Sequence, residues 1–272
     1  MKNFNSVIIT FLLLGLVFLP IDAKKKKKSI PAEKPKSAYS ILTGRDSVVM
    51  DGVMNVIAKK DSFFLEIPTS LLGREFLVVN RLQQVPKELN ESGVNKGINY
   101  ENQTIRFEWD KSANKIFIRQ QRVTPLVDGN DAMAKSVKEN YIDPILSSIK
   151  VRAISKDSAT VVFPINRLFD GKENCINDVF NNINIPNSAN GDLSHILNIK
   201  SHPQSVTATS ELTTVVHEGT SKVNVTVVVS STLYLLNETP MMGREESARV
   251  GYFTNSRLSY SDDQQGVKHH NF

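Results

Sequence analysis

The residues that could do chemistry are few and scattered. His217 and Glu218 stand together in HEGTS, 217–221. A zinc peptidase of the His-Glu-x-x-His type places its two histidines one helical turn apart, so that both reach one metal while the glutamate activates a bound water. Here position 221 is serine, and Gly219 falls where the flanking valines predict a hairpin turn. Neither the second ligand nor the helix is there. His195 and His202 lie in a stretch that reads as loop, with only Asp192 near them as a further donor. His269 and His270 are adjacent, which on a strand puts them on opposite faces. Cys175, the single cysteine, has no base beside it in GKENCINDVF and reads as a small buried apolar residue. No phosphate-cradling glycine loop and no Gly-x-Ser-x-Gly elbow occurs. Carboxylates are plentiful, but a sequence does not say which pair converges, so a glycosidase pair has no positive support. No catalytic, cofactor-binding or metal-ligating residue is assigned.

The elements that would position any site begin after an unusual N-terminus. Residues 7–19 are apolar except for Thr10 and Gly15, with Lys2 before them and Pro20, Ile21, Asp22 and Ala23 after. That order is a secretory signal peptide, with cleavage expected after Ala23 and a secreted or periplasmic location. The run is too short for a comfortable membrane span, and an uncleaved anchor is the alternative. The net charge of +5 sits in the adjoining segment, where Lys24, Lys25, Lys26, Lys27, Lys28, Lys34 and Lys36 are opposed only by Glu33. The rest of the chain is close to neutral, which argues against a folded nucleic-acid binder. Like charges with Pro31 and Pro35 predict a disordered linker over 24–37. It is either a solvated spacer or, through Lys24, Lys25, Lys26, Lys27 and Lys28, a tether to an anionic cell surface. A lone cysteine makes no internal disulfide.

Beyond the linker the composition is ordinary globular, 40% hydrophobic and 22% charged. Residues 53–57 and 63–67 predict a hairpin ended by Pro68. Thr69 should cap a helical turn stopped by Gly73, and 75–82 returns to strand. Residues 86–102 read as a long polar connection. Over 104–110, Ile105, Phe107 and Trp109 alternate with polar residues, and 115–123 pairs back. Trp109 therefore reads as core. The best helix covers 131–142, capped by Asn130, with 145–149 continuing as a second turn. Residues 151–154 and 159–165 read as strands, 175–182 as a short helix and 184–204 as loop. The longest signal is a hairpin over 206–236, turning at 217–221. Residues 262–266 read as a turn and 267–272 as a strand without neighbours, as in a chain cut from a longer one, whose open edge would promote association. The expected class is mainly β (α+β): antiparallel hairpins in one or two packed sheets with one or two short helices. The expected division is a signal peptide (1–23), a linker (24–37), a small β region (38–85) and a larger antiparallel domain (86–272).

Four segments in this order carry a resemblance: SLLGREFLVVNRL (70–82), NYIDPILSSIKV (140–151), DSATVVFPINRLFDGKE (157–173) and RVGYFTNSRLSY (249–260). Together they resemble the N-terminal half of a family of large secreted bacterial zinc-dependent metalloproteases of the met-zincin type, over about residues 38–268. The resemblance implies two N-terminal domains of unknown function placed before a zinc domain whose His-Glu-x-x-His motif lies well downstream. No residue here matches that motif, so no catalytic role is carried over and zinc is expected only in the longer relatives. The expected function is a non-catalytic part that packs on or regulates a protease domain, supplied in cis or in trans. The alternative is a stand-alone extracytoplasmic β-domain that binds a protein or glycan.

Overall fold

The computed structural model describes residues 37–219, 221–239, 241–242, 244–245, 249, 254–260 and 266–271. The expected signal peptide, the linker apart from Ser37, and residues 262–265 of the expected turn lie outside the described residues.

Helix α1 (Ala38–Leu42) is capped by Ser37, whose hydroxyl accepts the Ser40 N–H. Strand β1 (Val48–Met50) leads to the hairpin of β2 (Asn55–Lys59) and β3 (Ser62–Pro68). A 3-10 turn over Thr69–Leu71 comes after β3. Thr69 does not cap it: its hydroxyl and N–H both donate to the Ala159 carbonyl, tying the turn to the start of β9, the strand paired with β3. Gly73 ends the turn at φ +79°, where a side chain would be strained. Strand β4 (Glu75–Gln84) comes next. The polar 86–102 stretch is less of a loop than expected. It holds α2 (Lys87–Glu91), entered from Pro86, and the start of β5 (Asn99–Asp110). Strand β6 (Lys115–Gln121) pairs back as the alternation predicts.

Helix α3 (Ala132–Asn140) is capped by Asp131, whose carboxylate accepts the Met133 N–H. Asn130, the expected cap, instead donates its N–H to the Asp128 carboxylate in the preceding turn. Residues 145–149 are not a second helical turn but strand β7 (Ile145–Lys150). Pro144 lacks the N–H to continue a helix, and its carbonyl accepts the Gln120 N–H, drawing the chain onto β6. Strands β8 (Ala153–Ile154) and β9 (Thr160–Pro164) precede two single-turn helices, α4 (Asn166–Phe169) and α5 (Val179–Asn182). The expected loop over 184–204 contains strand β10 (His195–His202), an edge strand with mostly polar outer positions that hide its pattern. The long hairpin is β11 (Ser205–Glu218) and β12 (Ser221–Leu235), turning through Gly219 at φ +61°. Strands β13 (Arg244–Glu245), β14 (Thr254–Ser259) and β15 (Gly266–Asn271) complete the described chain.

The fold is mainly β. A five-stranded sheet runs β1-β2-β3-β9-β8, a seven-stranded sheet β10-β11-β12-β4-β5-β6-β7, and a three-stranded sheet β13-β15-β14. Strand β15, expected without neighbours, is the central strand of the third sheet: its backbone pairs with β13 and β14. Leu65, Ile67 and Phe163 of the first sheet and Phe76, Val78, Ile105 and Phe107 of the second form one buried cluster. Phe107 binds the layers together, edge-on to Phe76 at 5.5 Å and 5.8 Å from Phe163. Trp109 packs at the margin of this cluster. Beyond the smaller sheet, Val179, Phe180 and Ile183 cover Leu82, Leu212 and Val229 of the larger one. At one end the sheets nearly touch. A Cβ on Gly52 would lie 2.6 Å from the His202 carbonyl, beside the Val53 N–H bond to that same oxygen. The outer face of the five-stranded sheet is covered by α1, whose Tyr39 and Leu42 pack on Ile57, Ala153 and Val162.

Candidate functional site

The most unusual buried group lies under α1. In FFLEIP (63–68), Leu65 and Ile67 face the core, so Glu66 projects to the outer face of the sheet. It is nevertheless only 3% exposed. Strand register supplies its partners. Asn55 is directly opposite Glu66 on β2, and its amide donates to Oε2 at 3.1 Å. On β9, Val162 is opposite and Thr160 is the diagonal neighbour, whose hydroxyl donates to Oε1 at 2.6 Å. The Tyr39 hydroxyl reaches down from α1 to the same Oε1 at 2.8 Å. All three donors are neutral. Glu66 forms part of a cavity of about 620 Å³ that is also lined by Tyr39, Ser155, Lys156, Asp157 and Thr160.

The electrostatics of this cavity are uneven. Burial first, then the hydrogen bond to Glu66, pushes the Tyr39 phenol up to about 12, so it serves as a fixed donor and not as a base. Asp157 sits at the tip of the β8–β9 turn, where the Ser155 hydroxyl and the Ala159 N–H both donate to its Oδ1. Those bonds hold its carboxyl below the usual range. The site thus presents two carboxylates of different kinds: one buried and held by neutral donors, one exposed at the rim. The signal of this site in the sequence is a lone glutamate between Leu65 and Ile67, which sequence reasoning did not single out.

Two other polar clusters are structural. Glu173 accepts from Ser147 at 2.7 Å, pairs with Arg167 at 2.7 Å and receives the Cys175 thiol at 3.7 Å. Burial, then the Glu173 charge, pushes that thiol up to about 12. Cys175 is therefore held protonated, the opposite of an activated nucleophile. Glu101 has left-handed backbone (φ +48°) at a bulge between β4 and β5, and its carboxylate accepts the Asp178 N–H and the Asn182 amide. Burial raises its pKa. Beneath it, Asn80 donates to the Glu101 and Ile176 carbonyls, and Tyr100 donates to Asn177.

His195, His202 and His217 lie at separate places in the β10–β11–β12 ladder. His217 is opposite Lys222 in the β11–β12 register, within strand and not on a helix. Glu218 is its neighbour at the end of β11, opposite Ser221. His195 Nε2 lies 3.6 Å from Glu211 Oε2 across the β10–β11 pair, and the Asp192 N–H is turned to Asn190. His202 ends β10, its carbonyl accepting from Val53. His269 and His270 are consecutive residues of β15. Among the described residues no three His, Cys, Asp or Glu side chains are placed to share an ion. The linker lysines lie outside the described residues.

No curated protein and no solved structure matches the chain. Two family models do. Residues 36–85 match a domain of unknown function, DUF5118, and residues 97–272 match a second, DUF5117. The strands of the two matched regions interleave: β8 and β9 complete the first sheet, and β4 lies inside the second. With the larger match spanning well over half its length and the smaller preceding it, the chain belongs to the DUF5117 family of domains of unknown function, joined here to a DUF5118 domain.

Proposed function

We propose that this chain is a non-catalytic, extracytoplasmic module of a secreted bacterial zinc-dependent metallopeptidase, which packs on or regulates a protease domain supplied in cis or in trans. The four ordered segments that resemble the N-terminal half of such proteases support this reading. The observation that carries it is an apolar surface at one end of the seven-stranded sheet. There the chain leaving β6, the start of β7 and the end of β14 come together: the Arg122 N–H donates to Asp143, and Leu126 exchanges backbone bonds with Leu258 and Tyr260. Val123 is 75% exposed and Ile142 78%, with Tyr141, Ile145 and Leu258 also exposed around them. Aliphatic side chains gathered at a sheet end are a feature of surfaces that meet another protein. Strand β7 adds an open edge.

The test has two parts. The purified chain is assayed for bound zinc and for peptide cleavage, and the coding DNA is read past the Phe272 codon. Stoichiometric zinc with cleavage overturns the non-catalytic reading. A zinc peptidase frame nearby, whose product co-purifies with this chain and loses that association on Ile142→Asp and Val123→Asp, supports it. The second reading, a stand-alone β-domain that binds a protein or glycan, is favoured by the polar cavity at Glu66 and gains if no such frame exists.

A further inference from the structure

We infer that residues 37–85 are not a separate domain but a docking element, and that their partner is the region from residue 97 onward. The two halves fold only together, and they stay together when the link between them is cut. This goes beyond the proposed function and stands apart from it. A domain carries its own core and its own ladders. Strand β4 has neither within residues 37–85. Its neighbours in the sheet are β12 and β5, so Phe76 lies between Leu235 and Ile105. The side chains of Phe76, Val78, Asn80 and Leu82 are fully buried. The Asn80 amide donates to the Glu101 and Ile176 carbonyls, both from the other half. Strand β3 pairs with β9 on one side, and its Leu65 and Ile67 share a cluster with Phe107 and Phe163. Alone, residues 37–85 would leave β4 unpaired on both edges and β3 on one.

The larger half is incomplete in the same way. Without β4 the seven-stranded sheet parts into β10-β11-β12 and β5-β6-β7, with two unpaired edges facing each other across the core. Without β3, the neighbour left to β9 is the two-residue strand β8. Side-chain contacts make the fit specific. The Asn166 carboxamide grips the β2–β3 hairpin: its Oδ1 accepts the Phe63 N–H and its Nδ2 donates to the Asp61 carbonyl. The Val53 N–H donates to the His202 carbonyl and the Ser201 hydroxyl to the Met54 carbonyl, where Gly52 leaves no room for a side chain. The link between the halves is fastened far less. Gly93 and Gly97 adopt φ +93° and +91°, and a Cβ on either would meet nothing within 4 Å. Asn95 and Lys96 between them are exposed. An exposed loop of this kind tolerates insertion and cleavage.

The experiment inserts a short recognition sequence for a site-specific protease between Asn95 and Lys96 of the full chain, and the folded protein is cut to completion. The two pieces should co-elute in size exclusion at the volume of the uncut chain, and should still do so after about tenfold dilution. The far-ultraviolet circular dichroism spectrum should be unchanged. The cut protein should melt in a single transition whose midpoint now rises with protein concentration, as for two chains that fold only on each other. Separation of the pieces without denaturant, or two transitions independent of concentration, overturns the inference. Should the insertion itself prevent folding, native-state hydrogen exchange on the unaltered chain decides. The slowest amides of β2 and β3 and those of β11 and β12 should become exchangeable at the same denaturant concentration. Protection of one set that outlasts the other overturns the inference as well.

Discussion

Thr160→Val isolates one link that holds the buried charge in place. Valine keeps the shape of threonine and its β-branch, so β9 and its pairing with β3 are preserved. What is lost is one hydroxyl, at 2.6 Å from Glu66 Oε1. A hydrogen bond to a charged group contributes about 1.5–3 kcal/mol net, and here the acceptor is 3% exposed, so water does not readily replace the donor. Tyr39 and Asn55 keep the carboxylate partly satisfied, which places the expected loss near the middle of that range, about 2 kcal/mol. For a folded region of this size that is roughly 4–8 °C in Tm. Urea unfolding followed by Trp109 fluorescence should show a lower midpoint with an unchanged m value. Thr160→Ser, which retains the hydroxyl, should recover most of the loss. A Thr160→Val chain within about 0.5 kcal/mol of the parent would refute the view that the buried Glu66 carboxyl group depends on its neutral donors.

Three further outcomes are expected from other parts of the molecule. Phe107→Ala should cost about 3–5 kcal/mol and unfold both large sheets in one transition, because the ring touches Phe76 and Phe163 across the layers; differential scanning calorimetry checks this. Cys175, its thiol pushed up to about 12, should react with an aromatic disulfide reagent at pH 8 far more slowly in the folded chain than in urea. Glu101 has a raised folded pKa, so its contribution is fully present below the unfolded value and is lost as pH rises through the folded one. Glu101→Gln should therefore flatten the stability profile over that acid window and leave the chain relatively more stable at neutral pH. Chemical denaturation at pH 4 and pH 7 checks the sign, and an unchanged difference between the two pH values would argue against it.

Much of the framework was legible because it rests on local rules. Ile105 and Phe107 alternate with polar neighbours, and both are fully buried. The hairpins of β2–β3, β5–β6 and β11–β12 turn where short polar or glycine-containing stretches interrupt β-branched runs. Gly73 stops its turn in a conformation that glycine tolerates. The failures share a cause. Residues 145–149 and 195–202 are too short or too polar to declare themselves, and they become strands because an existing strand offers a ladder to join. The expected caps differ too: Asp131 accepts the Met133 N–H and so caps α3 in place of Asn130, and the Thr69 hydroxyl is bonded to the Ala159 carbonyl.

The candidate site divides in the same way. The sequence by itself determined that 63–67 is a strand of a hairpin ended by Pro68, and that Cys175 has no adjacent base. It also determined that HEGTS lacks the second histidine of a zinc helix. Only the tertiary structure decided that the outer face of that strand is covered. Helix α1, some 27 residues earlier in the chain, lies across it with Tyr39, while β9, 94 residues later, brings Thr160 to the same oxygen. Burial is a property of what packs over a residue, and strand periodicity describes only the side on which it emerges. A charge becomes a site when distant segments close around it, and that closure is not written in its neighbours.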